Sequence, residues 1–403
     1  MGPPNAWAPE HLGPPPNAWG SRRPRDPPRH AGAAAAPGRR GPSVPGRRGP
    51  PDPDAGAPRP GPTRWGICAA GKISHDFLVA LKTLPPEEHV AVAIAARELA
   101  RAQDYARRFG VARAYGSYEE LAEDPDVDVV YVATVNTQHL PAGRLFLAAG
   151  KPLLMEKPMG VSAAEVRELV AAARARGLFL MEGFWTRFFP AWGRLRGLLA
   201  GGALGEPRVL RAGLGLALGG VERLAAPALG GGALLDLGGY GLQMATGLLG
   251  GGRPPRRLRA HGCLHPTGVD ETVTVTLEFG AGRLAEVTCS MAAELPGTAA
   301  VGGPRGWAQF PSHMNCPTEL EVGGEREQFP LPPPSLPLHF PHGTGLRYEA
   351  QHVRECLLQG LTESPVMPLA ESELVAQLLD EARRQVGAAG PEGGHGPTRG
   401  DTA

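Results

Sequence analysis

Arg64-Trp65-Gly66-Ile67-Cys68-Ala69-Ala70-Gly71-Lys72-Ile73-Ser74 is the stretch on which the fold turns. A short apolar run meets Gly71 and passes at once into a helical pattern with Ile73, Phe77, Leu78 and Leu81 on one face. The unit then repeats. Val90 to Ile94 reads as a second strand ending at Arg97, followed by a helix with Leu99, Ala102, Tyr105, Ala106 and Phe109, closed by Gly110. Asp128 to Ala133 is the third clear strand, and a helix over Leu140 to Ala149 stops at Gly150. A fourth strand, Pro152 to Met155, runs into Glu156-Lys157-Pro158. Ser162-Ala163-Ala164-Glu165 is a capping box opening a helix with Val166, Leu169 and Val170 inward; after Gly177, Leu178 to Met181 makes a fifth strand.

Strands alternating with helices at this spacing predict a doubly wound parallel sheet, an α/β Rossmann domain over 63–184. The binding crevice of such a sheet lies at the carboxyl ends of its strands, so the loops starting at Ala69, Ala96, Thr134 and Glu156 converge. Beyond Pro207 the texture changes. Thr272 to Phe279 alternates with period two, and Gly280-Ala281-Gly282 turns it into Arg283 to Cys289. That predicts an α+β second domain over 185–388 with an open, mainly antiparallel sheet, one face wet. Helical stretches near Tyr348–Leu358 and Glu371–Val386 pack back on the body. Residues 1–62, rich in Pro, Gly, Ala and Arg with a net charge of +5, predict a disordered tail. Residues 389–403 predict a flexible one.

The chain of 403 residues has a formal charge of +1, and the basic excess sits in that tail, which leaves about −4 for the rest. This excludes a general pull towards nucleic acid. The five cysteines are scattered without metal spacing, so no metal site is expected, and reduced thiols point to a cytoplasmic protein. No apolar run is long enough for a membrane span.

Candidate site residues follow from position. Gly71 is the middle glycine of a dinucleotide fingerprint that lacks the other two; with Ile73 it marks a pyrophosphate turn or an ordinary tight turn. The second strand ends in Arg97, not in a ribose-binding carboxylate, and Arg101 follows one turn later. A guanidinium there pairs with a 2′-phosphate and favours NADP; a solvated arginine at a helix start is the alternative. Thr134, Asn136 and His139 follow the third strand and line the cleft, unless Thr137 merely caps a helix and His139 lies on its surface. Trp185, Arg187, Phe188 and Phe189 make either a pocket for a ring or sugar or a core cluster. Asp236-Leu237-Gly238-Gly239-Tyr240 predicts a helix with Asp236 and Tyr240 on one face. A lysine such as Lys157 beside that phenol lowers its pKa, the equipment for moving a proton while hydride leaves carbon.

At these residues the chain resembles the glucose–fructose oxidoreductase/inositol dehydrogenase (Gfo/Idh/MocA) family, whose signature lysine lies in a Glu-Lys-Pro segment. The likeness runs from Arg64 to Val386, through Tyr115 to Leu121, Glu156 to Val161, Phe184 to Pro190, Gly231 to Gly238, Thr267 to Asp270, Cys316 to Leu320 and Tyr348 to Cys356. The resemblance implies an NADP-dependent dehydrogenase acting on trans-dihydrodiols of aromatic hydrocarbons and on D-xylose. Tyr240 is then the acid/base group, supported by Lys157 and Asp236. Glu156 and Lys157 lie at the cofactor, Arg97 at its 2′-phosphate, and Trp185 and Arg208 on the substrate side. It also implies a homodimer through the C-terminal sheet. Two departures stand out: residues 212–232 are rich in Gly, Ala and Leu where the family pocket carries aromatic and polar groups, and Gly183, Gly239 and Gly241 predict loose surroundings for both motifs. These motivate a second reading, an NADP-binding sensor with a degraded pocket.

Overall fold

A computed structural model describes residues 61–390. The tails expected at 1–62 and 389–403 fall outside the described residues, apart from their inner two positions.

The first half runs β1 (Thr63–Cys68), α1 (Lys72–Leu81), β2 (His89–Ala95), α2 (Leu99–Phe109), β3 (Arg113–Tyr115) and α3 (Tyr118–Glu123). It continues with β4 (Val129–Val132), α4 (His139–Ala148), β5 (Leu153–Glu156), α5 (Ala163–Arg174) and β6 (Leu180–Gly183). The six strands are parallel in the order β3-β2-β1-β4-β5-β6, so the chain switches direction between β1 and β4 and opens a crevice there. β4, β5 and β6 are buried throughout because helices cover both faces, which is why their sequences run apolar without alternation. The sequence shows five strands; the sixth, β3, is three half-buried residues at the edge, too short to carry a period. Its anchor is Asp124, which accepts Arg113 Nε at 2.7 Å and the Tyr115 hydroxyl at 3.1 Å. The Ser162 cap forms, but the Glu165 carboxylate accepts the Val161 amide, one residue before the reciprocal position of a capping box.

The second half begins with α6 (Pro190–Ala200), β7 (Val209–Gly215), α7 (Glu222–Ala225) and α8 (Gly239–Ala245). It goes on through β8 (Arg257–Leu264), β9 (Asp270–Phe279), β10 (Arg283–Ser290), β11 (Thr298–Gly303), β12 (Gly306–Phe310), β13 (Glu319–Val322) and β14 (Glu325–Gln328). α9 (Leu346–Leu358) and α10 (Leu369–Val386) complete it. The eight strands are ordered β14-β13-β12-β11-β7-β10-β9-β8, antiparallel except for the β7–β10 pair. α8 and α10 cover one face, while Val209, Leu284 and Trp307 stand exposed on strands of the sheet. α9 packs on α1 and α10 on α5, so both late helices return to the first half.

Candidate active site

The β1–α1 turn supplies a bare helix start. Gly71 is the N-cap of α1 in extended conformation, with no side chain capping the first amides, and a Cβ there would meet only Ala133 O, at 4.0 Å. Those free N–H groups are what a pyrophosphate binds. Ala69 has φ +82°, so a left-handed residue stands where the fingerprint's first glycine would be; such strain costs about 1–3 kcal/mol and clusters at ligand clamps. α2 holds the turn, because Arg101 Nε donates to Ala70 O at 2.7 Å and the Tyr105 hydroxyl to Gly71 O at 3.2 Å. Arg101 is therefore occupied, while Arg97 lies exposed just beyond the end of β2. Ile73 is half-buried and packs into the core next to the turn.

After β4 the three expected residues separate in role. The Thr134 hydroxyl is buried without a partner, a donor left for a ligand. Asn136 Nδ2 donates to Gly230 O at 3.1 Å and so pins the strap 216–232. His139 is fully buried between two carbonyls, Nδ1 at 2.7 Å from Pro158 O and Nε2 at 3.2 Å from Thr134 O. Burial pushes its pKa down to about 4, so it is a neutral ring whose one N–H is spent clamping the loops after β4 and β5. Its ring thus faces protein carbonyls on both sides. Glu156 is likewise turned towards protein partners. It is buried beneath the crevice, accepting the Tyr131 hydroxyl at 2.5 Å and the Lys157 amide at 3.2 Å.

Lys157, Asp236 and Tyr240 do meet. Lys157 Nζ donates to Asp236 O at 2.8 Å, lies 4.0 Å from Asp236 Oδ1, and sits 4.9 Å from the centre of the Tyr240 ring. The helix carrying them is not a plain α-helix: a π-helical turn, Leu234–Gly238, leads into α8, and a second, Thr246–Gly250, follows. Such wide turns cluster at functional sites. Asp270 fixes the first one, its Oδ2 accepting the Leu234 amide at 2.5 Å. The Tyr240 phenol is buried and pushed well above its ordinary value, by burial first and then by Glu156 and Asp236. Lys157 Nζ stands over the ring, and the phenol's rise runs opposite to the depression expected of it. Trp185 lies against this phenol, its buried indole N–H close enough to work against the rise. Phe184 meets the Tyr240 ring edge-on, ring centres 6.0 Å apart.

Two arginines go elsewhere. Arg187 is buried and spans α8 and α10, donating to Gln243 Oε1 at 2.7 Å, Gln243 O at 2.9 Å and Glu371. Its place is structural, not in a pocket. Arg208 is half-exposed beside Glu206, just before Val209, which pairs with Leu284. The helix of Asp236 and Tyr240 begins at the opposite end of that pair, where Gly238 packs on Cys289. Strand rise separates the two by roughly 20 Å. Arg208 therefore does not reach the cleft. Arg223, which no motif marks, does: its Nη2 donates to Asp236 Oδ1 at 3.2 Å.

The fold and this crevice define a two-domain, nicotinamide-binding oxidoreductase. The comparisons give the class its name. Residues 63–184 match the oxidoreductase family with NAD-binding Rossmann fold, and 192–309 match the GFO/IDH/MocA C-terminal domain. The chain belongs to the Gfo/Idh/MocA family. It is 53% identical over 324 residues to trans-1,2-dihydrobenzene-1,2-diol dehydrogenase of Danio rerio, covering 80% of this chain and 97% of that protein. The enzyme of that name from Homo sapiens is 51% identical, covering 82% and 98%. Among solved structures, the 3-ketoreductase KijD10 from Actinomadura kijaniata, in complex with NADP and TDP-benzene, is 28% identical with a TM-score of 0.67, over 81% of this chain and 98% of its own. Aldose-aldose oxidoreductase from Caulobacter crescentus shares the fold at 23% identity and a TM-score of 0.69, over 80% and 97%. No helix among the described residues is long and apolar enough to cross a membrane.

Proposed function

We propose that this chain is an NADP-dependent dehydrogenase that oxidises trans-dihydrodiols of aromatic hydrocarbons to catechols, with D-xylose as a second substrate. The observation that carries the reading is the meeting of Lys157, Asp236 and Tyr240 beside the buried Trp185 N–H. The bare α1 start, the Thr134 hydroxyl and exposed Arg97 fit a dinucleotide with a 2′-phosphate. When bound, the nicotinamide supplies the hydride acceptor. Tyr240 exchanges the proton of the reacting hydroxyl, Lys157 holds the helix start through Asp236 O, and Trp185 donates to the neighbouring hydroxyl of a vicinal diol. The names of the dihydrodiol dehydrogenases at 51–53% identity support the substrate class. A homodimer through the exposed face with Val209, Leu284 and Trp307, working in the cytoplasm, completes the proposal.

The strap 216–232 favours a second reading, since it offers exposed Leu216, Val221 and Leu229 where a polar sugar pocket would need donors. Assays of NADP+ reduction with a trans-dihydrodiol, D-xylose and D-glucose decide between them, on full-length and tail-deleted protein. Turnover with the dihydrodiol is the expected result, and Tyr240→Phe should keep cofactor binding while losing about 100-fold or more of it. Tight NADP binding with no turnover on any substrate makes the chain a sensor.

A further inference from the structure

Below Lys157, on the side of the parallel sheet that carries α1 and α9, lies a carboxyl group that the reaction as proposed does not use. Glu349 of α9 is completely buried, and neither of its carboxyl oxygens has a hydrogen-bond partner. It reaches the sheet at Gly183, which stands directly across the ladder from Glu156. A Cβ on Gly183 would lie 3.6 Å from Glu349 Oε2 and 3.6 Å from Glu156 Cα, so the two carboxyl-bearing residues come together at this one point of the sheet. Glu156 already accepts the Tyr131 hydroxyl and the Lys157 amide. It is thus equipped to be the charged member, while Glu349 is equipped for nothing but a proton. Two carboxylates cannot both ionise in so dry a place.

We propose that Glu349 is a positioning residue: it remains a neutral carboxylic acid, lends its proton to Glu156, and so keeps a single negative charge under Lys157. The proposal rests on the site reading given above. Burial, then the charge on Glu156, pushes Glu349 well above the usual carboxylate range. Burial also raises Glu156, opposed by Tyr131 and Lys157. The other groups facing the pair do not supply that proton. Asp76 of α1 is saturated by the His339 and Phe340 amides and by His75. Glu182 of β6 accepts the Met159 amide and faces Arg187 from the segment before α6. Tyr240 feels Glu156 as a charge that raises its phenol. Without the acid partner, Glu156 is a lone buried carboxyl that takes a proton from solvent at higher pH, and the charge is lost.

The test uses full-length protein with NADP+ and the variants Glu349→Gln and Glu349→Met. Glu349→Met should move the acid limb of the kcat/KM profile up by about one pH unit, and Glu349→Gln, which keeps a donor, should leave that limb in place. Infrared spectra at pH 8 should show a protonated-carboxyl carbonyl band that loses intensity in Glu349→Gln. No loss of band overturns the proposal whatever the turnover, and so does an unmoved limb in Glu349→Met. If the methionine variant does not fold, the infrared comparison alone decides. A band that behaves as expected in a protein with no turnover would sink the catalytic reading and leave the carboxyl pair standing.

Discussion

Tyr240 enters the site as a protonated phenol, and that fixes the sign of its pH dependence. Its pKa lies well above the ordinary 10.0, so the phenolate fraction grows with every step towards alkaline pH. Oxidation, which needs a proton acceptor, should therefore gain kcat/KM steadily as pH rises. Reduction of the matching ketone should stay level at neutral pH and fall only in the alkaline range. Initial rates in both directions check this, and an oxidation rate that peaks near neutrality would remove the phenol from the role. Glu182 gives a stability test of the opposite kind. Burial pushes its pKa up to about 7, so its contribution is complete below the unfolded value near 4.5 and is lost as pH rises through 7. Glu182→Gln should gain up to about 3 kcal/mol at pH 8 and little at pH 4, read from urea unfolding at each pH. At this scale the sequence showed what is contiguous. Glu156-Lys157-Pro158 and Asp236 with Tyr240 could be read because their spacing is local. Glu349 and Arg223 could not, because their partners are joined only by folding, and Arg208 looked useful because a strand's far end is invisible in sequence.

The helix of Asp236 and Tyr240 shows how packing overrides composition. Gly239 and Gly241 look like loosening residues, yet both are points of close approach. A Cβ on Gly239 would lie 3.0 Å from Phe184 Cζ, and one on Gly241 would overlap Val287 Cγ1 of β10. Glycine lets α8 lie flat on the second sheet, which brings Tyr240 to the depth of Lys157. Gly241→Ala should then cost about 1–3 kcal/mol by overpacking and lower turnover with it. Val287→Ala makes room, so the double variant should be less destabilised than the two single costs added together. Strict additivity in denaturant unfolding would show that the helix does not rest on β10 at this point. The same element holds the π-helical turn that a period of 3.6 cannot announce, since its widening depends on the Asp270 carboxylate arriving from β9. Element type was legible wherever a run was long or strictly alternating, as in β9 and α2. It failed at β3, whose three residues are placed by Asp124.

Across the molecule, the parallel sheet and the open sheet act on one cleft, so the chain must hold them together by more than apolar contact. Alternation of strand and helix made the first sheet legible, and period two the second. Their docking was not, because it rests on single polar side chains that cross between elements. Arg187 is the clearest of these. It follows β6, is buried, and ties the short turn carrying Trp185 to Gln243 of α8, the Val366 carbonyl and Glu371 of α10. Arg187→Met removes the cation and leaves Glu371 with an unpaired charge in a mostly buried position, which should cost about 3–5 kcal/mol. The loss should also free the Trp185 turn from α8, so turnover should fall more than cofactor affinity does, because the β1–α1 turn is held independently by Arg101 and Tyr105. Glu371→Gln in the Arg187→Met background should recover part of the stability by removing the stranded charge. It should recover little of the turnover, since the tie to Gln243 stays broken. Unfolding curves and NADP titrations on the three variants separate these effects. Equal losses of cofactor affinity and turnover in Arg187→Met would mean that the two sheets are held as one block and that Arg187 serves it only as a brace.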